Sequence, residues 1–372
     1  MGRISSMLNE ITRSLSVKRT TGNSSSSTSP NGREAVEAMA RDAKKKELIL
    51  MNSGMIKGER SHNLTALFSK RGEKGINQDS CIVWEEFGCQ EDMTFCGIFD
   101  GHGTWGHHVA KRVGHSMPSF LLCNWQQQLA EAAAAAASMN QQEAEEEEEE
   151  LRRFTLWKRS YLRTCAALDQ DLHRHPRIDS FHSGSTALSI VKQGNDVFLA
   201  NVGDSRAVLG TVSDDGSLTA LQLTVDMKPD LPEEAQRINE SKGRVFCLKD
   251  EPGVHRMWSP HDESPGLSIS RAFGDYCMKS FGLISVPQVT HRKISSKDRF
   301  IVMATDGVWD VISNQESVAI VAASPEPAKS AKLLVKSAAK AWRRKRKKVA
   351  MDDISAIVLF LHSCQQTLPP VK

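Results

Sequence analysis

Two hydrophobic patterns alternate along the chain. One is a short, nearly unbroken apolar run, rich in β-branched and aromatic residues and bounded by a carboxylate or glycine; the other repeats apolar residues every three or four positions. The first predicts buried strands and the second amphipathic helices. Strands are expected at Ser80–Glu86, Thr94–Phe99, Thr186–Val191, Val197–Asn201, Arg206–Gly210, Phe300–Thr305 and Ile354–Leu361, with a Gly194-Asn195 turn between two of them. Helices are expected over about Trp105–Cys123, Leu151–His173, Pro232–Ser241, Asn314–Ala323 and Pro325–Trp342. In the second of these, Leu151, Phe154, Tyr161, Cys165, Leu168 and Leu172 share a face, as a helix packed on a core requires. Short strands joined by tight turns favour an antiparallel sandwich over a doubly wound parallel sheet.

Other stretches follow neither period. Thr20–Gly32 is rich in Ser, Thr, Asn and Gly and reads as a flexible linker, followed by a short helix of mixed charge at Glu34–Met51. Ala130–Glu150 joins an alanine run to six consecutive glutamates and reads as an exposed low-complexity insertion. Val254–Gly266 is expected to be a mobile flap, with Trp258 an exposed aromatic on it. Arg343–Lys348 is basic at all six positions and reads as a solvated loop, with a nuclear signal or an anionic docking patch as alternatives.

Composition narrows the field. The chain has 372 residues, 40% hydrophobic, enough for a large core. A net charge of +3 supplies no field that would favour nucleic acid. The eight cysteines show no paired spacing, which fits reduced thiols of a cytosolic-type compartment. No apolar run reaches the ~18 residues of a membrane span, and the N-terminus has no secretory h-region. Met1-Gly2-Arg3-Ile4-Ser5-Ser6 fits an N-myristoylation pattern, and basic residues follow it; a tail carrying a chance match is the alternative.

The chemistry starts at Asp100, where an apolar run ends and Gly101-His102-Gly103 follows. Phe300–Thr305 runs into Asp306 and Asp310 in the same way, and Asp204 follows Val197–Asn201. Asp79 and the pair Asp352-Asp353 precede apolar runs. Carboxylates at strand edges, scattered over nearly the whole chain, suit a site for hard divalent cations, because clustered carboxylates repel unless a cation lies among them.

Seven segments occur in order: Asn77-Gln78-Asp79, Asp100-Gly101-His102-Gly103, Ser183-Gly184-Ser185-Thr186-Ala187, Asn201-Val202-Gly203-Asp204-Ser205-Arg206, Ser270-Arg271-Ala272-Phe273-Gly274-Asp275, Ala304-Thr305-Asp306-Gly307-Val308-Trp309-Asp310 and Asp352-Asp353-Ile354-Ser355. Together they resemble the motif set of the type 2C protein phosphatases, the metal-dependent serine/threonine phosphatases, in a plant-type form, over roughly Leu64 to Ser363. The resemblance implies an α+β fold: a four-layer αββα sandwich of two central antiparallel sheets flanked by helices. It implies a phosphatase domain at 56–363, with residues 1–55 as a flexible N-terminal segment and 364–372 as a tail. It also implies hydrolysis of phosphoserine and phosphothreonine by a water bridging two Mg²⁺ or Mn²⁺ ions, and a role opposing kinase signalling.

By the same resemblance Asp100 bridges both ions and the Gly101 carbonyl binds one. Asp79 holds one ion, Asp306 and Asp352 the other, and Asp204 and Asp310 join Asp306 at a weaker third. His102 gives a proton to the leaving oxygen, a task suited to a group titrating near 6.5. Lys74 stands where many members place a phosphate-gripping arginine and offers a point charge in place of a fork. Gln78 stands for a glutamate of some relatives, and Asp353 for a commoner asparagine. The expected partners are phosphoproteins and, through Gly2, a membrane surface, with no nucleic acid and a monomeric chain. The expected location is cytoplasmic, with plasma-membrane and nuclear fractions. A tyrosine-type phosphatase is excluded because no cysteine has an arginine six residues on. A weakly active binding protein of the same fold is the alternative, though all the metal aspartates are present.

Overall fold

Alternating side-chain direction along the strands sets the architecture. In strand β4 (Met93–Phe99), Met93, Phe95 and Phe99 face one way, Cys96 and Ile98 the other, and all are buried. In β15 (Asp298–Ala304), Phe300, Val302 and Ala304 oppose Ile301 and Met303 in the same manner. A strand covered on both faces needs apolar residues at successive positions, which explains why these segments read as unbroken hydrophobic runs.

The computed structural model describes residues 53–57, 64–137, 146–262, 264, 266–346 and 349–362. The linker, the mixed-charge helix, Gly2 and the C-terminal tail of the sequence reading lie outside them. The described residues belong to one compact unit, Leu50–Lys372.

The first sheet has six strands in the order β1 (Ser53–Ile56), β3 (Ser80–Glu85), β4, β7 (Ala187–Gln193), β8 (Asp196–Val202) and β14 (Gln288–Lys293). The second has five: β10 (Leu218–Gln222), β9 (Arg206–Val212), β15, β16 (Ile354–Phe360) and β2 (Thr65–Lys70). Pairing is antiparallel except between β1 and β3. The chain leaves β1 for β2 in the other sheet and returns, so β3 runs in the direction of β1. The inward faces meet in one apolar layer: Val83, Ile98, Ile190 and Leu199 from the first sheet, Leu209, Met303 and Ile357 from the second.

Helices cover the outer faces. On the first sheet lie α1 (Gly106–Ala137) and α2 (Glu146–His173), where Trp157 stacks on Trp125 and Phe198. On the second lie α6 (Asn314–Ala322) and α7 (Ser330–Lys345). The fold is therefore the expected αββα sandwich. Three boundaries differ from the sequence reading. Helix α1 continues through the alanine tract because alanine is the strongest helix former. Helix α2 starts within the glutamates, whose charge complements a helix N-terminus. Helix α7 takes in Arg343, Arg344 and Lys345, cations that complement its C-terminal end, so half of the basic run is helix and not loop.

Beside the sheets, α3 (Pro232–Glu240), α4 (Tyr276–Lys279) and the hairpin β11 (Arg244–Cys247)–β12 (His255–Trp258) enclose Ile238, Met257, Ala272, Met278 and Leu283. Trp258 is buried here, contrary to the expectation of an exposed flap aromatic. Its ring stacks on Phe246 at 5.1 Å, and its indole N–H donates to the Phe246 carbonyl at 3.2 Å.

This subdomain is tied down by one buried carboxylate. Glu234 accepts from Arg237 at 2.7 and 2.9 Å, from Arg271 at 2.6 Å and from the Ser270 hydroxyl at 2.5 Å. Burial alone would raise its carboxyl, but Arg237, Arg271 and Ser270 outweigh that and hold it down, from 4.5 to about 2. The folded value lies below the unfolded one, so the ionised network contributes fully above about 4.5 and is lost as the pH falls towards 2. Glu234→Ala should lower stability in denaturant at neutral pH by about 3–5 kcal/mol, as removing one partner of a buried ion pair does. The deficit should shrink as the pH falls below 4.5; an unchanged denaturation midpoint at neutral pH would contradict the assignment.

Candidate active site

Strand direction brings the aspartates together. Strand β3 is antiparallel to β4, with Ser80 opposite Phe99, so Asp79 entering β3 lies beside Asp100 leaving β4. Strand β16 is antiparallel to β15, with Ala356 opposite Ala304, so Asp352 and Asp353 entering β16 flank Asp306 leaving β15. The turn from β8 to β9 crosses between the sheets, and the pairing of Arg206 with Ala304 sets Asp204 at the same edge. Five strand ends thus deliver carboxylates from distant parts of the chain to one place.

Their electrostatics show how close they are. Burial is the largest effect raising the Asp100 carboxyl well above its usual range, and the charges of Asp306, Asp79, Asp352 and Asp204 push the same way. Asp306 is raised well above its range by burial and by Asp204, Asp352 and Asp310, against Lys228. Asp79 is raised by burial and by Asp353 and Asp352, with the nearby Ser355 and Thr305 hydroxyls opposing the rise. The Asp310 carboxyl is also raised, by burial first, although Arg346 and Lys228 oppose it. Asp79 is buried; its Oδ2 accepts from the Thr305 hydroxyl at 3.1 Å, while its Oδ1 has no hydrogen-bond partner. A buried acceptor without a partner, among carboxylates that destabilise one another's charge, fits a divalent cation. Among the described residues no three of these side chains close into a preformed coordination sphere. Two lysines stand on the carboxylates instead: Lys74 Nζ donates to Asp352 at 2.5 Å, and Lys228 Nζ pairs with Asp204.

The backbone around the carboxylates is held from several sides. The Asp100 N–H donates to the Thr186 hydroxyl at 3.0 Å, and its carbonyl accepts from the Thr186 N–H at 2.9 Å, which leaves the side chain free to face the cluster. The Thr186 hydroxyl in turn meets that of Ser205, next to Asp204, at 3.0 Å. Asp353 accepts from the N–H groups of Gly72 at 2.7 Å and Gln78 at 2.8 Å. Both of its oxygens are thereby engaged on the loop that carries Lys74, while Asp352 faces Lys74 itself. Glycine is required at 101, where a Cβ would strike the carbonyls of Gly106 and Gln78, and at 307, where it would strike that of Asp353.

His102 lies in a small three-stranded sheet, β5 (Gly101–His102), β6 (Gly184–Ser185) and β13 (Phe273–Gly274). There its Nε2 donates to Asp275 Oδ2 at 2.6 Å, and Asp275 is buried, with backbone in the left-handed region. Burial works against the charged imidazole, but the charge and hydrogen bond of Asp275, with help from Asp204, leave its pKa raised. Lys74 shows the same balance: burial pulls its pKa down, while Asp352, Asp306 and Asp100 raise it.

The structure gathers every residue of the sequence reading at this edge. Lys74, Asp79, Asp100, Gly101, His102, Asp204, Asp306 and Asp352 lie at the cluster, and Asp310 lies at its half-exposed rim. Two residues that pair with these side chains have no assignment in the sequence reading. Asp275 closes the segment Ser270–Asp275, so its position was marked but no partner was. Lys228 had no signal at all.

Comparison with known proteins gives a consistent picture. Residues 77–346 match the family described as Protein phosphatase 2C. The chain is 60% identical over 363 residues to "Probable protein phosphatase 2C 34" of Arabidopsis thaliana, covering 98% of both chains. It is 53% identical over 367 residues to "Probable protein phosphatase 2C 48" of Oryza sativa subsp. japonica, covering 98% of this chain and 99% of the other. Among solved structures, serine-threonine phosphatase 2C from Toxoplasma gondii superimposes with a TM-score of 0.69 at 25% identity, over 80% of this chain and 94% of that one.

Two substitutions separate the roles of neighbouring aspartates in chelator-containing buffer. Asp353→Ala strips two loop N–H groups of their acceptor and should cost roughly 2 kcal/mol in denaturant. Asp306→Asn removes a charge that the folded state disfavours and should raise stability. The same sign of change in both variants would refute this division.

Proposed function

The chain belongs to the protein phosphatase 2C family and is a protein serine/threonine phosphatase, and on that premise we propose how its residues divide the work. The reading rests above all on one observation: the carboxylates at these strand ends raise one another's pKa around a buried Asp79 oxygen that has no partner. Asp79, Asp100 and the Gly101 carbonyl are assigned to one Mg²⁺ or Mn²⁺ ion, and Asp100, Asp306 and Asp352 to a second. Asp204, Asp306 and Asp310 would form a third, weaker position, weakened because Lys228 already neutralises Asp204. Bound there, such cations supply a nucleophilic hydroxide at neutral pH and offset charge on the phosphoryl oxygens.

The chain's own groups do the rest. Lys74, with its side chain more than half exposed, is free to swing from Asp352 to a phosphoryl oxygen. His102 is engaged at Nε2 by Asp275, which leaves Nδ1 as the nitrogen that gives a proton to the departing serine or threonine oxygen. Asp275 is a positioning residue: it orients the ring and keeps it protonated at higher pH. Its segment is anchored through Arg271 to Glu234, which links the flanking subdomain to proton transfer. The substrates are phosphoserine and phosphothreonine proteins, so the chain reverses the action of kinases.

Phosphate release from a phosphothreonine peptide, titrated with Mg²⁺ or Mn²⁺, should saturate in the parent and fall by more than about 100-fold in Asp306→Asn. Metal-independent release, or full activity in the variant, would overturn the metal assignment. Asp275→Asn should lower peptide turnover roughly 10- to 100-fold. Because protonated His102 is the active form, the alkaline limb of its pH profile should move to lower pH. Turnover of p-nitrophenyl phosphate, whose leaving group needs no proton, should change little. A profile that stays in place would show that Asp275 does not set the protonation of His102.

A further inference from the structure

Arg343, in the basic run that follows Trp342, has no part in the chemistry above. Glu73, Trp342, Arg343, Arg346, Val349 and Met351 line an open cleft of about 200 Å³. That is smaller than the ~300–1,000 Å³ of sites that bury a whole ligand, so it suits one side-chain head group.

The cleft is built onto the catalytic edge. Trp342 is buried, and its indole N–H donates at 2.7 Å to the carbonyl of Gly307, the residue after Asp306. The Glu73 N–H donates at 2.7 Å to the Met351 carbonyl, so the walls are joined directly before Lys74 and directly before Asp352. Arg346 approaches Asp310 at 3.7 Å. The cleft is therefore contiguous with the edge that bears Lys74 and Asp352.

Its charge is positive and largely uncommitted. Arg343 has no ion pair among the described residues. Arg346 pairs with Asp310, but both side chains are 47% exposed, and such a pair contributes little. Arg344 adjoins them on the last turn of α7, whereas Lys345 is committed elsewhere: its Nζ donates to the Val311 carbonyl at 2.6 Å and lies 4.0 Å from Glu316. Glu73 is the one carboxylate lining the cleft, and it faces the Met351 end, where its Oε2 accepts from the Met351 N–H at 3.5 Å. Guanidinium forks match carboxylate and phosphate oxygens in pairs.

We infer that this cleft is an anion subsite, in which Arg343 and Arg346 read an acidic group flanking the scissile phosphoserine or phosphothreonine. The group is either a carboxylate or a second phosphate. The inference rests on the phosphatase reading, and its test keeps the two apart.

The test compares the full chain with Arg343→Ala and Arg343→Glu, leaving Arg346 and its partner Asp310 intact. Each protein receives three phosphothreonine peptides, with neutral flanks, with glutamate flanks and with a second phosphothreonine, and separately p-nitrophenyl phosphate. The parent should favour the acidic peptides about 10-fold in kcat/KM, mostly through KM, and lose that preference as salt rises. Arg343→Ala should reduce the preference and Arg343→Glu abolish or invert it, with p-nitrophenyl phosphate turnover unchanged in both. Equal gains from glutamate and phosphate identify a general anion reader; a gain from the second phosphate alone identifies phosphate as the group read. Identical peptide ratios in parent and variants, or no acidic preference in the parent, would overturn the subsite. Peptide affinities from fluorescence anisotropy, which need no turnover, are read in parallel. Absence of p-nitrophenyl phosphate hydrolysis at every Mg²⁺ and Mn²⁺ level would count against the phosphatase reading alone, and the affinities would still decide the subsite.

Discussion

Repulsion between carboxylates is the constraint that the rest of the structure answers to. Asp79, Asp100, Asp306 and their neighbours each disfavour the others' ionisation, and each is held where it cannot retreat into water. The sandwich solves this by anchoring every carboxylate at the end of a strand whose body is buried on both faces. The free energy that opposes the clustering is thereby spread over two extensive apolar layers and a central one. Lys74 and Lys228 relieve part of it locally, one at Asp352 and the other at Asp204.

The same arrangement joins the carboxylate cluster to His102. Asp100 follows the last residue of β4, and the next two residues, Gly101 and His102, form a strand of a different, three-stranded sheet that reaches Asp275. The position of His102 relative to the carboxylates is therefore set at Gly101, where no side chain fits. Asp275 depends in turn on the segment that Arg271 fastens to Glu234. A subdomain packed outside the sandwich is thus joined to the His102–Asp275 pair through a short chain of charged groups.

Much of this was legible in the sequence for a definite reason. A strand buried on both faces writes itself as a continuous apolar run, and an aspartate at its end is visible beside it, so Asp100, Asp306, Asp79 and Asp352 stood out. Groups whose meaning lies in a distant partner did not. Asp275 is 173 residues from His102, and Lys228 meets Asp204 across a loop with no periodic pattern. Trp258 looked exposed because its segment is polar; a hairpin partner, Phe246, covers it. Strand β1, the one parallel partner in the first sheet, escaped notice because four residues are too few to show a period.

The departures from the family pattern also follow from the central repulsion. An asparagine at 353 would offer one carbonyl oxygen to the loop, whereas Asp353 offers two, and the N–H groups of Gly72 and Gln78 take one each. The gain in loop order carries an added negative charge, which Asp79 feels directly. Gln78 in place of glutamate keeps a further charge out of the same neighbourhood, and its amide instead donates to the Gly103 carbonyl at 2.8 Å, bracing the turn after His102. One position gains a carboxylate that fixes the loop bearing Lys74, and another forgoes one and braces the loop bearing His102. The two changes offset each other in charge while both add order around the catalytic edge, and lysine at 74, a mobile point charge, is tolerable there because the loop that carries it is held by Asp353.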